Sequence, residues 1–277
     1  MSIGTFMLVR NEAPWIAAHI LRVLPFIDEA VFFDGNSTDG TTEIIEAIQD
    51  GEPGGDKIRL FKNHDCKDMK DDYVRLFNDC LRALSTDLAW FLHPDQFVLN
   101  PERISQIANS DAVALSCKMR SFAGNPGEAL FEMKGRGEAW KNIYRLRNPD
   151  LGAHYHGWYG AHNEDVYFKS ITGDEHEHHG HNFQNYPYEV VDSGIEVLHF
   201  SDVRTYERRL GRMKTCLANQ GTKPERIDAL AASHPRVTLK SGSAFHDNFT
   251  LVPAEYPAEF LAAREKYAHL EKQLANV

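Results

Sequence analysis

The chain is poor in the features that mark the simplest protein classes. Four cysteines are spread over 277 residues, at Cys66, Cys80, Cys117 and Cys216, and none forms a CxxC pair. That spacing excludes a zinc ribbon and a disulfide framework, and it fits a reducing compartment. Positive charge is in deficit, since 30 basic against 40 acidic residues leave a net charge of −10. Such a balance gives no global attraction to nucleic acid or anionic lipid and leaves only a local basic patch open. No apolar run is long enough to span a membrane. The N-terminal one stops at Arg10-Asn11-Glu12, too short for a signal peptide, so the expectation is a cytoplasmic protein with no integral membrane segment. Gly-x-x-x-x-Gly-Lys and Gly-x-Gly-x-x-Gly are both missing, which argues against a P-loop nucleotidase and a Rossmann dehydrogenase.

What is present is an ordinary globular composition, 42% hydrophobic and 25% charged, in a chain long enough to bury a full core. Its first half alternates in period. Short apolar runs at residues 5–9, 30–33, 58–61 and 88–92 read as strands. Between them stand helical patterns: one from about Ala13 with Ile16, Ile20, Val23 and Leu24 on one face, one over 42–48, and one over about 71–84. Residues 1 to about 118 therefore read as α/β, with a mostly parallel central sheet and helices on both sides. From 112 to 200 the strands shorten and Gly, His and aromatic residues crowd long loops, with strands expected at 112–119, 141–146, 166–168 and 196–200. Helical periodicity returns after Asp202, first through Tyr206, Leu210, Met213 and Leu217, then in a last helix over about 257–274.

Two stretches carry chemistry. The first is Asp34-Gly35-Asn36-Ser37-Thr38-Asp39-Gly40-Thr41, a polar turn between a strand and a helix start. Its leading carboxylate falls where the strand opens at its C-terminal end, the edge at which open α/β sheets bind ligands. The second is His93-Pro94-Asp95-Gln96, which follows a strand buried on both faces and reaches the same edge. Read as an extended segment, it points His93 and Asp95 the same way, and Pro94 stiffens the link. One imidazole and one carboxylate suit Mn²⁺ or another borderline divalent ion better than Ca²⁺. A polar loop capping its own backbone is the plainer alternative.

The ordered set Leu8-Val9-Arg10-Asn11-Glu12, Phe33-Asp34-Gly35-Asn36-Ser37-Thr38-Asp39-Gly40-Thr41 and Trp90-Phe91-Leu92-His93-Pro94-Asp95-Gln96-Phe97 resembles family-2 glycosyltransferases of the GT-A fold. Their usual text is an Asn-Glu after the first strand, Asp-x-x-Ser-x-Asp-Gly-Thr after the second, and Asp-x-Asp-Glu closing a later one. The likeness covers residues 3–105 well and the rest loosely. It implies a GT-A-like catalytic domain over 1–202, with a nucleotide-sugar half at 1–118 and an acceptor half at 119–202. A C-terminal helical extension follows at 203–277.

Carried over by position, the resemblance has Val9, Arg10, Asn11 and Glu12 line a nucleoside pocket and Asp34 contact the base or ribose. Asp95 matches the second Asp of Asp-x-Asp and would bind the metal, Mn²⁺ first and Mg²⁺ second. His93 stands where the first Asp is usual, and Gln96 where Glu is usual. Arg75 takes the basic place near the phosphates, His199 completes the metal site, and Arg204 or Arg208 faces the leaving diphosphate. An inverting transfer needs a base, for which Glu164 is the first candidate and Asp165 the second. The implied reaction moves a sugar from a nucleotide-sugar, a UDP-sugar by default, to a hydroxyl on a glycan, small molecule, protein or modified DNA base. The run His176-Glu177-His178-His179-Gly180-His181 reads better as a surface or lid loop than as a second metal site, because no fixed geometry follows from its spacing. His154, His156 and His162, among Tyr155, Trp158 and Tyr159, form either an acceptor platform or aromatic core. Two rival readings are a catalytically silent nucleotide-sugar-binding module and a His-rich metal-dependent phosphoester hydrolase.

Overall fold

The computed structural model describes residues 2–62, 76, 79–80, 82–108, 114–126, 129–134, 141–145, 155–158, 167–170, 190–219, 222–239 and 250–272. They fall into two compact units. The first takes Met1–Met119, Ala139–Val197 and Glu259–Val277, and the second takes Arg120–Glu138 and Leu198–Ala258.

In the first unit, strands β1 (Ile3–Val9), β2 (Glu29–Asp34), β3 (Ile58–Phe61) and β4 (Leu88–Phe91) form a sheet in the order β3-β2-β1-β4. All three pairings are parallel, with Val9 beside Asp34, Phe33 beside Phe61 and Phe6 beside Phe91. Helix α1 (Ala13–Val23) joins β1 to β2, and α2 (Thr41–Gly51) leads from β2 toward β3. Because both crossovers step the same way and are right-handed, both helices cover one face, where they pack side by side. The strands alternate accordingly. Ile3, Met7, Ala30 and Phe32 meet Ile16, Ile20, Ile44, Ile45 and Ile48, while Phe6, Val31 and Phe33 meet Leu76, Cys80 and Leu84 on the other face. The return to β4 passes the sheet and lands beyond β1, so the strand order reverses between β1 and β4.

The first unit also contains β5 (Gln96–Val98), α3 (Ile104–Ala108), the first part of β6 (Ala114–Gly124), β8 (Lys141–Arg145), the hairpin of β9 (Tyr155–Trp158) with β10 (Tyr167–Ser170), and the first part of β11 (Val190–Val203). Strand β5 ends a sheet, and α1 serves its outer carbonyls: His19 Nδ1 lies 2.6 Å from the Gln96 carbonyl, and Arg22 donates to Val98 at 2.8 Å and to Leu99. A short edge strand is thereby covered rather than left open.

The second unit holds the antiparallel set of β6, β7 (Leu130–Lys134) and β12 (Thr250–Ala254), and helices α4 (Tyr206–Asn219), α5 (Pro224–Ser233) and α6 (Pro235–Thr238). Met213, Ala231 and Val237 join the helices. Arg209, 5% exposed, donates to the carbonyls of Gly124 (2.6 Å), Arg204 and Val237 and to Asn125 Oδ1. Phe200 packs between Phe122 and Tyr256.

The mixed α/β class and the parallel sheet agree with the sequence reading. Strands β5, β7, β9 and β12 were not foreseen, and the last helix is shorter than expected. Helix α7 (Ala258–Tyr267) and one 3₁₀ turn (Ala268–Leu270) replace the continuous helix to 274. The reason lies in the chain's destination: the Lys272 amide donates to the Asp39 carbonyl at 2.7 Å instead of continuing a helix. Phe260 meets Trp15 and Phe97 with centroids 5.8 Å apart, and Tyr267 donates to Glu52 at 2.5 Å. Gly40, with φ 100°, makes room for this segment, since a Cβ there would stand 2.0 Å from the Leu270 carbonyl oxygen. Gly40→Ala is therefore expected to cost about 2–4 kcal/mol and to expose the C-terminal segment to protease. Urea denaturation and limited proteolysis check this, and unchanged stability with a protected C-terminus would contradict it.

Candidate functional site

The β1 and β2 strands end together, and the Gly35 amide extends their ladder by donating to the Val9 carbonyl at 2.9 Å. Beyond that point the two loops are tied by side chains. The amide of Asn11, whose φ is 59°, donates to Ser37 Oγ at 3.0 Å, and Asn11 Oδ1 accepts from the Thr38 amide at 2.8 Å. Asp39 is 3% exposed and accepts from the Ala13 amide (3.1 Å), the Thr41 amide (3.1 Å) and the Thr41 hydroxyl (2.5 Å). The same Thr41 oxygen accepts from the Glu12 amide at 2.8 Å. The carboxylate thus satisfies an otherwise unbonded amide at the start of α1 and places negative charge at that helix's positive end.

Asp34, also 3% exposed, sits at the end of β2 and first organises its own turn. Its two oxygens accept from the Ser37 amide at 3.2 Å each, from the Ser37 hydroxyl, and from the Thr42 hydroxyl at 2.9 Å. Of the expected pocket residues before it, Val9 is buried and offers backbone, Arg10 is exposed, and Asn11 and Glu12 are half-buried.

Across the point where the strand order reverses, β4 runs into His93-Pro94-Asp95-Gln96. The sequence left this segment either extended or a polar loop capping its own backbone; it is the second, a tight turn. The Gln96 amide donates to the His93 carbonyl at 3.0 Å, and the His93 amide donates to Gln96 Oε1 at 3.1 Å. Pro94 suits the first corner of such a turn because its φ is already set, so His93 and Asp95 are neighbours across a bend instead of along a strand. Gln96 is 1% exposed, and a neutral amide makes this bond without burying a charge. Asp95 is 7% exposed and His93 half-buried.

His19 holds this turn from behind. It is 2% exposed, and burial pushes its pKa down to about 4, against the opposing pull of the Gln96 carbonyl and the Asp95 charge. The ring is therefore neutral near pH 7, with Nδ1–H donating to Gln96 and no hydrogen-bond partner at Nε2 among the described residues. Sequence reading passed over His19, although a polar residue between Ile16, Ile20 and Val23 on an apolar face was a signal. It also passed over the clasp made by Ser37, Asp39 and Thr41.

His199, half-buried on β11, and Arg204, whose amide donates to the Gly124 carbonyl at 3.0 Å, belong to the second unit. Arg209, grouped in the sequence with Arg204 and Arg208 as one basic helix start, is a buried structural hub. Arg75, Glu164, Asp165, His154, His162 and the 176–181 run lie outside the described residues. Among the described residues no group of three or more His, Cys, Asp or Glu is gathered as a metal cage.

No protein-family model matches the chain, and no curated protein matches it. Among solved structures it is similar to residues 1–349 of S. aureus TarS, with a TM-score of 0.36 and 18% identity over 44% of this chain. The chain covers 36% of that 1–349 fragment. It is similar to glucosyl-3-phosphoglycerate synthase from Mycobacterium tuberculosis, solved with Mn²⁺ and UDP-glucose, with a TM-score of 0.31 and 20% identity over 43% of this chain and 44% of that one. It is also similar to the mannosyltransferase PcManGT from Pyrobaculum calidifontis, solved with GDP-Man and Mn²⁺. There the TM-score is 0.44 and the identity 13%, over 96% of this chain and 75% of that one.

The depressed His19 value makes stability depend on pH. The unfolded chain takes up this proton near the ordinary value of 6.5 and the folded chain only near 4, so stability falls as pH drops through that window. Between pH 7 and pH 5 the loss is expected to be roughly 2 kcal/mol, and His19→Asn should abolish that part of the slope. Urea titrations at both pH values decide it, and identical slopes in the two proteins would contradict the assignment.

Proposed function

We propose that the protein transfers a sugar from a nucleotide-sugar, a UDP-sugar first, to an acceptor hydroxyl with inversion and with the help of a divalent cation. One observation carries this reading: the 10–12 loop, the 34–41 turn and the 93–96 turn all leave the carboxyl ends of parallel strands, and the strand order reverses between β1 and β4. Open parallel sheets bind ligands at that place. The residues there are those on which the resemblance to family-2 glycosyltransferases rests.

In this reading Val9, Arg10, Asn11, Glu12 and Asp34 hold the nucleoside, with Asp34 keeping its turn in shape while doing so. His93 and Asp95 hold the cation. One imidazole and one carboxylate fit Mn²⁺ or Mg²⁺, because such ions leave most of their positions to phosphate oxygens and water when the donor binds. The cation supplies positive charge opposite the departing diphosphate. The resemblance gives Arg75 and Arg204 the task of adding to that charge and His199 the place of a third protein ligand. Glu164, or Asp165 in its place, takes the proton of the acceptor hydroxyl as its oxygen attacks the sugar carbon. The bond from that carbon to the diphosphate oxygen breaks, and its electron pair leaves with the nucleotide. The acceptor is a glycan, small molecule, protein or modified DNA base. No helix among the described residues is long and apolar enough to cross a membrane, and we place the reaction in the cytoplasm.

A thermal-shift screen of nucleotide-sugars tests the donor half. A UDP-sugar is expected to stabilise the protein more with Mn²⁺ than without it, and Asp95→Ala should weaken the manganese-dependent part of that response at least tenfold. If no nucleotide binds under any metal condition, the reading falls. Glu164→Gln should keep donor binding and lose at least a hundredfold in turnover. Binding without turnover in the unmodified protein would mark a silent module instead.

A further inference from the structure

We infer that α1 is a strut across the donor site and that His19 is the positioning residue through which it sets the metal turn. The inference rests on the reading of His93 and Asp95 as cation ligands. At its first residue α1 is held by the 34–41 turn, since Asp39 accepts from the Ala13 amide and Thr41 from the Glu12 amide. Two turns later His19 donates to the Gln96 carbonyl, and Arg22, three residues on, donates to Val98 and Leu99. Gln96 and Val98 stand two apart on β5, so their carbonyls face the same edge, and side chains three apart on a helix meet that edge together. Between these anchors Trp15, Ile16, Ala17, Ala18 and Ile20 are all buried, so the helix has little freedom to shift.

Gln96 passes this constraint to the ligands. Its amide closes the turn on the His93 carbonyl, and its side chain accepts the His93 amide. Fixing the Gln96 carbonyl therefore fixes the frame from which His93 and Asp95 project. A neutral histidine suits the task because it offers one directed N–H without placing a second cation beside the metal ligands. An ammonium or guanidinium at this depth would need a carboxylate partner, and the carboxylate whose charge reaches His19 is Asp95 itself.

The test uses replacements that differ in where they place a donor. Asparagine sets an N–H at the position of His19 Nδ1, leucine sets none, and glutamine carries its amide one carbon too far. Manganese affinity is measured by electron paramagnetic resonance in the presence of UDP, alongside UDP affinity without metal and the midpoint of thermal unfolding. His19→Leu and His19→Gln are each expected to weaken manganese about tenfold and leave metal-free UDP binding within twofold. His19→Asn should recover manganese affinity to within threefold, even where its thermal midpoint is as low as that of His19→Leu. Should His19→Leu or His19→Gln not fold, the other gives the comparison. His19→Asn binding manganese no better than His19→Leu or His19→Gln would overturn the assignment. Asp95→Ala run in parallel separates the two levels. If it leaves manganese affinity unchanged, the cation reading fails and the role of His19 with it. If Asp95→Ala weakens manganese and His19→Leu does not, only the role of His19 fails.

Discussion

The first unit turns on one buried carboxylate. Asp39 accepts three hydrogen bonds, two from the threonine that starts α2 and one from the first amide of α1. Burying a carboxylate is costly, and charge-assisted bonds to amides at a helix's positive end offset that cost. The same residue receives the Lys272 amide on its carbonyl. Two crossover helices, the loop after β1 and the C-terminal segment therefore meet at one residue. Displacing it would move the Val9–Asp34 strand ends, the turn around Ser37 and the far end of α1 together.

Strand β2 shows how one element divides its tasks between its ends. Glu29 opens it, accepting from the Ser85 amide and hydroxyl and from Arg59, and these contacts hold its carboxyl below the usual range although burial acts in the opposite direction. Asp34 closes it at the carboxyl end of the strand. The first carboxylate fastens the sheet to the loop before β4, and the second shapes the turn that a ligand would meet. Position along a parallel strand separates the two roles, because the loops gather only at the carboxyl ends.

The first half of the fold was legible because hydrophobic period alone distinguishes buried parallel strands from the helices between them. The 34–41 motif was legible as a polar turn between a strand and a helix start, but not as a clasp, since nothing local says that Asp39 reaches back to Ala13. The extended alternative for 93–96 fails for a similar reason: the turn's closing bond involves the Gln96 side chain, and alternation cannot reveal that. Strands β7 and β12 pair over more than a hundred residues of sequence, and β12 carries Pro253, which ordinarily argues against a strand. An edge position tolerates it. His19 was visible as a polar interruption of an apolar face, yet its partner was not. A helix-borne arginine is usually exposed, whereas four carbonyl-type acceptors draw Arg209 inward.

Gly40 leaves the gap through which the backbone near Leu270 passes. Tyr267 and Lys272 bond to partners 215 and 229 residues earlier in the chain, at Glu52 and Glu43. Contacts of such separation form slowly, because closing the intervening loop costs entropy before any bond is gained. During synthesis the opening strands emerge first, but the turn between β2 and α2 stays unsealed until residue 272 has left the ribosome. The part of the site that is made earliest is thus among the last to reach its final form.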